Sequence, residues 1–344
     1  MEYRYHIGLD AHSTRCMFAV MNRRGRVVKR VGVETTDNEL LDFVRSVKGP
    51  KALVFEESTL SQFLYVLLKP EVDYLVVCDP VANAKKGAKT DKIDAVELAD
   101  LLRVNRLKPV FHTDDERIEL RALVSGYEDL IQEVVRTKNR YKALFMQSAI
   151  RVKGKRVYSD SEMIQLLPNK TQQFVARPLF EQLEVLEKHR EWYKERFERN
   201  LRRFREMRLI AGIPGMGTTT ANQLVGIVVS PHRFATKYKF FSYATIVRHK
   251  QISNGVVYGS KKAYGKEQLK SIFSRATWVA LASKNGFQRK YQQMLLEGKS
   301  QKAAWRAVRR ALAATVLGVW KSGKKYDDNY REVTRPKNGC RGRA

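Results

Sequence analysis

The first 48 residues alternate short apolar runs with turns. Residues 5–10, 15–21 and 26–33 have the composition of strands, and the turn at 22–25 joins the last two. Three strands connected by tight turns predict an antiparallel meander. A helical spacing of apolar residues follows in 37–48 and predicts the first helix.

The pattern continues with a strand at 53–55, a helix at 63–68 and a strand at 74–78. The resulting order, βββαβαβ, predicts a mixed sheet with helices on its faces. This is the order of the α/β ribonuclease-H-like fold, and other α/β folds begin in the same way. We therefore expect an N-terminal domain of this class.

Beyond the predicted sheet the spacing becomes helical. An apolar stripe in 120–145 predicts one long helix, and a second is predicted to start after Pro178, a residue suited to a first turn. In 179–207 the apolar positions alternate every four and three residues, as in a short coiled coil with Arg190 and Asn200 as register-setting polar positions. An ordinary amphipathic helix packed on its own chain has the same spacing, so both interpretations stay open.

A turn rich in glycine and proline interrupts the helices at 209–218. In helix-hairpin-helix modules such a turn directs backbone N–H groups at a phosphate, so Gly215 and Gly217 are candidate nucleic-acid contacts. A plain glycine-rich loop is the alternative. Aromatic, basic and short strand-like segments follow in 233–263, and helices resume over 266–320.

Charge is distributed unevenly. The chain has 65 Lys and Arg against 36 Asp and Glu, a net charge of +29. Residues 1–115 hold 18 basic and 17 acidic side chains, whereas 116–344 hold 47 and 19, with no acid between Glu206 and Glu267. An excess of this size indicates a polyanionic partner of the second region. Nucleic acid is favoured over a membrane surface, because the sequence shows no long apolar span, signal peptide or lipidation motif.

The cysteines and histidines predict neither a disulfide framework nor a zinc site. Cys16, Cys78 and Cys340 are far apart and odd in number, and the six histidines lack metal-ligand spacing. This usage is typical of a reducing cytoplasm.

Carboxylates stand where predicted strands end. Asp10 closes the first strand, Glu56 and Glu57 close the fourth, and Asp91 and Asp94 lie three residues apart, on one face of a predicted helix. Carboxylates that converge repel one another unless hard cations neutralise them, so this pattern predicts Mg²⁺ or Mn²⁺. Two such cations bridged by a phosphate stabilise both the attacking and the leaving oxygen of a phosphodiester.

Each acid also has a purely structural interpretation. Asp91 could cap a helix, Asp94 could be a favourable first-turn charge, and Asp10 could belong to a turn. The joint arrangement in a basic protein favours the metal site. Actin-like ATPases and sugar kinases also open with a Gly-x-Asp strand, but here the following residues 11–15 contain no glycine to hold ATP phosphates.

Over residues 7–323 the chain resembles a known family: insertion-sequence transposases of the DEDD type, relatives of the pilin-gene inverting recombinases. Their N-terminal domain is similar to Holliday-junction resolvases of the RuvC type. The most specific matching pieces are Lys89-Thr-Asp-Lys-Ile-Asp-Ala95 and Ile213-Pro-Gly-Met-Gly217.

The resemblance implies a set of four metal-binding acids: Asp10, Glu56, Asp91 and Asp94. The family usually follows its glutamate with a small residue, threonine and glycine. Here the segment reads Glu56-Glu57-Ser58-Thr59, so Glu57 competes with Glu56 as the ligand.

The resemblance also implies a serine nucleophile in the C-terminal domain, at Ser253. This sequence departs from the family motif at Arg248, where a proline is usual, and at Asn254, where a glycine is usual. Asparagine tolerates a left-handed backbone, so the turn should be preserved. Ser260 is a competing candidate, and Ser253 could also be a loop hydroxyl bonded to its own backbone. The basic residues around it are candidate nucleic-acid contacts: Arg248, Lys250, Lys261 and Lys262.

The resemblance further implies DNA as substrate, a structured guide RNA that pairs with donor and target DNA, and assembly as homodimers and tetramers. We expect four segments: a RuvC-like domain with trailing helices (1–155), a helical or coiled-coil segment (156–207), a mostly α transposase domain (208–323) and a basic tail (324–344).

The sequence therefore predicts a metal-dependent DNA recombinase in which Ser253 attacks the scissile phosphate. Two alternatives remain: a resolvase or nuclease in which water attacks, and a nucleic-acid scaffold without catalysis. Detection of a covalent protein–DNA species would exclude the first alternative. Cleavage that depends on a divalent metal would exclude the second.

Overall fold

The computed structural model describes residues 3–80 and 95–328. The chain forms two compact units, Met1–Asp115 and Glu116–Ala344. This boundary coincides with the change from the nearly neutral to the strongly basic part of the sequence. The finer division into four segments stays a prediction.

The N-terminal unit is a mixed α/β sheet, and its elements follow the predicted order. Its strands are β1 (Tyr5–Asp10), β2 (Arg15–Asn22), β3 (Val27–Glu34), β4 (Lys51–Glu56), β5 (Tyr74–Cys78) and β6 (Pro109–Val110). Its described helices are α1 (Asp37–Ser46), α2 (Ser61–Leu68) and α3 (Ala95–Arg103). The predicted order βββαβαβ is confirmed, and β6 is an addition that the sequence pattern did not predict.

The six strands lie in the order β3-β2-β1-β4-β5-β6. The meander β1-β2-β3 is antiparallel, as predicted, while β4 is parallel to both β1 and β5. The short β6 pairs antiparallel with β5. Because β1, β4 and β5 are parallel neighbours, their carboxyl ends meet at one edge of the sheet.

Apolar side chains cover both faces of this sheet. On one face Ile7, Leu9 and Phe55 pack with residues of α1 and α2. On the other face Val54 and Cys78 pack with residues of α3. A sheet buried on both sides draws its stability from apolar area removed from water.

The close approach of α3 to β1 depends on a glycine. A Cβ atom on Gly8 would stand 1.9 Å from the carbonyl oxygen of Ala95 and 2.7 Å from the backbone nitrogen of Ala99. Glycine in a strand interior is typical of such a close approach by another backbone. The absence of a side chain at residue 8 therefore fixes where α3 crosses the sheet.

The C-terminal unit is mostly helical. Its helices are α4 (Glu119–Gln147), α5 (Lys170–Arg203), α6 (Arg205–Ala211), α7 (Thr218–Val228), α8 (Lys237–Tyr243), α9 (Glu267–Leu281), α10 (Gly286–Leu296) and α11 (Gln301–Ser322). Two further strands, β7 (Arg248–Ser253) and β8 (Val256–Lys262), form a separate antiparallel pair.

The two longest helices, α4 and α5, form an antiparallel pair. Tyr127 contacts Phe197 with ring centroids 5.0 Å apart, and Tyr141 contacts Phe180 at 6.0 Å. The apolar stripe of α5 therefore packs on its own chain, as the amphipathic-helix interpretation predicts. Asn200, considered as a register-setting residue, is buried, and its side-chain Nδ2 donates to the side-chain Oδ1 of Asn222 on α7 at 2.8 Å.

The predicted start of α5 was wrong. The helix begins at Lys170, and Pro178 lies inside it. The side-chain oxygen of Asn169 accepts a hydrogen bond from the Gln172 amide at 2.8 Å and caps the first turn. An Asn cap of this kind outweighs the positional preference of proline that suggested the later start.

No helix within residues 3–80 and 95–328 combines the length and apolar character needed to cross a lipid bilayer.

Candidate functional site

Two of the predicted acids are brought to the same edge and the same face of the large sheet. β1 and β4 are parallel, with Leu9 opposite Phe55, so Asp10 and Glu56 end neighbouring strands at the same level. Parallel neighbours lie about 4.8 Å apart, and alternate residues share a face. Asp10 follows Gly8 by two residues and Glu56 follows Val54 by two, so both acids lie on the side that α3 covers.

The backbone after β4 is held in place by one buried hydroxyl. Ser61, the first residue of α2, is 2% exposed. Its Oγ accepts from the Ser58 amide at 2.6 Å and donates to the Glu56 carbonyl oxygen at 3.3 Å. These two bonds fix the turn that begins at the candidate ligand.

The loop after β1 is also anchored. The Thr35 hydroxyl donates to the His12 carbonyl oxygen at 2.8 Å, and the Cys16 thiol lies 3.3 Å from the same hydroxyl. The imidazole Nδ1 of His12 lies 3.4 Å from the Asp10 carboxylate. The peptide that leaves β1 therefore has a defined path beside Asp10.

Glu57 has different surroundings from Glu56. Its carboxylate lies 3.9 Å from Nε2 of His112, whose side chain is only 5% exposed. The side-chain Nε2 of Gln62 donates to the backbone carbonyl oxygen of Thr113 at 3.0 Å, and the Oε1 of Gln62 lies 3.3 Å from His112 Nδ1. Sequence reasoning missed His112, because it lies far along the chain from the acids and shows no ligand spacing.

The other two predicted acids, Asp91 and Asp94, lie outside the described residues. Within 3–80 and 95–328 no three His, Cys, Asp or Glu side chains are grouped so as to hold a metal ion. The described part of the site thus consists of Asp10 and Glu56. Both supply carboxylate oxygens, the ligand type that Mg²⁺ and Mn²⁺ prefer.

Ser253 ends β7 at the tip of the two-stranded hairpin. It pairs with Val256, and Asn254 and Gly255 form the two-residue turn with φ values of 48° and 78°. Positive φ at both central residues is the geometry that Asn-Gly favours in a tight hairpin. The expectation that Asn254 would preserve the turn is confirmed.

The two candidate serines have different environments. The Ser260 hydroxyl accepts from Arg248 Nε at 2.9 Å, and the Ser260 carbonyl oxygen accepts from the same guanidinium at 2.7 Å. The exposed Ser253 hydroxyl has no hydrogen-bond partner among the described residues. Arg248, which replaces the usual proline, therefore engages Ser260 and leaves Ser253 available.

The predicted nucleic-acid contacts on the hairpin are exposed. Lys262 forms an ion pair with Glu267. The ammonium groups of Lys250 and Lys261 have no partner within the described parts of the chain. These two lysines are available to contact phosphate.

The glycine-rich turn lies between α6 and α7, as predicted, and its two candidate glycines differ. Gly215 has a φ of 86°, and a Cβ there would stand 2.1 Å from the Ala276 carbonyl oxygen, so Gly215 packs against α9. Gly217 is exposed and precedes α7. At the first residue of α7 the Thr218 hydroxyl donates to the Glu198 carboxylate at 2.8 Å, which places a negative charge beside the proposed phosphate contact.

Comparison with known proteins covers both regions that contain candidate residues. A model of the DEDD transposases of the IS110 type matches residues 7–149 and includes the four predicted acids. A second model, described as the transposase IS116/IS110/IS902 family, matches 207–292 and includes Ser253. Among curated proteins none matches the chain. The two family matches, in the expected order along one chain, show that it belongs to the IS110-type transposases, enzymes that cut and rejoin DNA.

Proposed function

We propose that this transposase cleaves DNA with Ser253 as the nucleophile and with a divalent cation held by its N-terminal carboxylates. The observation that carries the proposal is the parallel pairing of β1 with β4, which sets Asp10 beside Glu56. The family match over 7–149 supports the same assignment.

We assign the N-terminal unit to the ribonuclease-H-like, RuvC-like class. Its strand order and the helices on both faces support this assignment, because the antiparallel β1-β2-β3 is extended by the parallel β4 and β5. Asp10 on the central strand and Glu56 on its parallel neighbour occupy the edge at which this class would place acids.

The carboxylates of Asp10 and Glu56 would hold the cation together with Asp91 and Asp94. The described part of α3 starts at Ala95, the residue that follows Asp94 in the sequence, and Ala95 lies against Gly8 on the face that carries Asp10. Glu56 is preferred to Glu57 because it shares that face. A bound Mg²⁺ or Mn²⁺ would supply Lewis-acid stabilisation of the phosphate and of the departing oxygen.

Ser253 would carry out the bond exchange. Its Oγ loses a proton to solvent and bonds to phosphorus, while the bond from phosphorus to one deoxyribose oxygen breaks and that oxygen takes up a proton. A hydroxyl of a second strand then attacks the phosphoserine and releases Ser253. A serine hydroxyl is a weak nucleophile at neutral pH, which is why this step requires activation.

The basic residues would position the nucleic acid. Arg248, Lys250, Lys261 and Lys262 lie in a stretch without acids, from Met207 to Lys266, and would neutralise backbone phosphates. Gly217, rather than the packed Gly215, is the preferred backbone contact in the turn. A structured guide RNA and assembly as dimers or tetramers complete the proposal, and the net charge of +29 supports a large polyanionic partner.

Detection of a covalent intermediate tests the proposal. The full chain is incubated with labelled DNA from the ends of its own element, its flanking RNA transcript and Mg²⁺, and is then denatured. The wild-type protein and Ser260→Ala should carry the label, whereas Ser253→Ala and samples with a metal chelator should not. Metal-dependent cleavage without labelled protein would overturn the serine mechanism and favour attack by water, and absence of any cleavage would favour a scaffold.

A further inference from the structure

The hairpin of β7 and β8 exposes four apolar side chains within seven residues of sequence. Exposure is 59% for Ile252, 67% for Val256, 50% for Val257 and 67% for Tyr258. A two-stranded sheet alone is only marginally stable in water, and exposed β-branched residues do not stabilise it. Exposed apolar side chains grouped in this way are typical of a surface that binds a partner.

The register divides the hairpin into two faces. Directly paired residues share a face, and residues alternate between the faces along β7. On β8 the register shifts at Tyr258, which has no directly paired residue, so the faces of β8 are assigned from its partners on β7. One face, which we call the groove face, carries Arg248, Lys250, Ile252, Val257, Ser260 and Lys262. The serine face carries His249, Gln251, Ser253, Val256, Gly259 and Lys261.

The charge of the hairpin identifies the kind of partner. Residues 248–262 contain four Lys and Arg and no acid. On the groove face the Ile252–Val257 pair lies at the tip, and Lys250 stands two residues nearer the base. An apolar tip flanked by basic side chains is complementary to base edges flanked by phosphates.

The dimensions favour double-stranded DNA. Two strands about 4.8 Å apart, with their side chains, fit the major groove of B-form DNA, which is about 12 Å wide and admits a two-stranded ribbon. The major groove of A-form RNA is deep and narrow, and side chains do not reach its base edges. An apolar pair at the groove floor would meet thymine methyl groups.

We propose that the groove face enters the major groove of a DNA duplex, with Ile252 and Val257 against base edges and Lys250 and Arg248 toward the flanking phosphates. This inference rests on the proposed function, because it presumes a DNA substrate. Ser253 lies on the opposite face of the ribbon. One face would therefore hold a duplex while the other presents the nucleophile to a different DNA segment, an arrangement that suits strand transfer.

The test compares two duplexes that differ only in the major-groove methyl group. Binding of the full chain to a thymine-containing duplex and to the same duplex with uracil in place of thymine is measured by fluorescence anisotropy. Wild type should bind the thymine duplex about fourfold more tightly or better, the equivalent of one buried methylene group. Equal binding of the two duplexes would overturn the proposal.

Matched variants locate the contact. The double change Ile252→Ser with Val257→Ser should abolish the preference for thymine, whereas Val256→Ser on the serine face should keep it. Circular dichroism checks that each variant is folded, as expected for exposed positions. Loss of the preference in Val256→Ser alone would overturn the proposal. So would a result in which Ile252 and Val257 are needed to bind duplex RNA or a second copy of the chain, but not to bind DNA.

Ser253→Ala separates this inference from the proposed chemistry. The variant should keep the preference for thymine even though it forms no covalent adduct. If wild-type protein forms the adduct but shows no preference, the groove contact alone is wrong. If the preference is present and no adduct forms, the serine mechanism alone is wrong.

Discussion

The two sheets of this transposase are built in opposite ways. The six-stranded sheet has helices on both faces, and the interiors of β1, β2, β4 and β5 are buried, whereas the edge strand β3 is largely exposed. Among the residues that the structure describes, none covers either face of the two-stranded hairpin that carries Ser253, and its β-branched residues are half or more exposed. Packing constrains the buried residues of the first sheet. The exposed residues of the second sheet are available for contacts with a partner. Substitutions in the two sheets should therefore affect different measurements.

The largest expected effect is on catalysis at the edge of the covered sheet. If Asp10 and Glu56 hold the cation as proposed, Asp10→Asn and Glu56→Gln should each lower strand cleavage about a thousandfold, because each would remove a ligand and several kcal/mol of transition-state stabilisation. Cleavage is measured on DNA from the element ends, and DNA affinity should change little. Glu57→Gln is the matched control and should retain most activity. If Glu57→Gln is the inactive variant and Glu56→Gln is active, the ligand has been assigned to the wrong residue.

Replacement of a glycine by alanine should destabilise the large sheet strongly and the hairpin very little. Gly8→Ala brings a Cβ against the backbone of α3 and should reduce the free energy of unfolding of the N-terminal unit by about 3 kcal/mol. In Gly259→Ala the new Cβ meets only the Gln251 side-chain oxygen, at 3.2 Å, and a flexible side chain can move away. Its effect should stay within about 0.5 kcal/mol.

Hydrogen exchange of the β1 amides reports the first change. All four tryptophans lie beyond residue 190, so their fluorescence during urea unfolding reports the second. Comparable losses of unfolding free energy in Gly8→Ala and Gly259→Ala would show that the hairpin is as tightly packed in solution as the large sheet.

A smaller effect concerns the salt dependence of DNA binding. Lys250→Gln and Lys261→Gln should each reduce the slope of log affinity against log salt concentration by about one, since each proposed lysine–phosphate contact would release counterions from one phosphate. Lys48→Gln, an exposed lysine in the nearly neutral N-terminal unit, is the control and should leave the slope unchanged. An equal reduction by Lys48→Gln would place the DNA on both units.

The smallest expected effect is a pH dependence of the N-terminal unit. Burial, together with the charges of Arg103 and Arg23, lowers the pKa of His6 from its usual value of 6.5. The unfolded chain therefore binds a proton that the folded chain excludes, and stability is lost as pH falls from about 7.5 through 6.5 toward 5.5. The protection factors of the β1 amides, which are the intrinsic exchange rates divided by the measured rates at the same pH, should fall over this interval, and His6→Gln should flatten the change. An identical pH profile in His6→Gln would assign the dependence to other groups.

Much of the fold could be predicted because its patterns are local. Short apolar runs and turns predicted the element order βββαβαβ and the antiparallel meander, and Asn254-Gly255 predicted the hairpin turn. The two residues of β6 are too few for a pattern, and they form a strand only because β5 offers a free edge. At the start of α5 two local signals competed, and the Asn169 cap prevailed over Pro178.

Less of the candidate site could be predicted from the sequence, because residues that contact one another there are far apart in the sequence. Asp10 and Glu56 could be identified as strand ends, but that they share a face follows from the parallel register. His112 approaches Glu57 across the fold, and no spacing in the sequence indicates it. The exposure of Val256 and Val257 could not be predicted either, since β-branched runs are more often buried.

The parallel pairing of β1 with β4 also has a consequence for synthesis on the ribosome. β1 ends at Asp10 and can pair with β2 at once, but its other partner begins only at Lys51. At a translation rate of about 5–20 residues per second, one edge of this apolar strand waits roughly 2 to 8 seconds for β4. An unpaired edge is a template for association with other chains. The long connection between β1 and β4 therefore leaves the nascent N-terminal hairpin with one unpaired edge during that interval, and we expect chaperones to bind there.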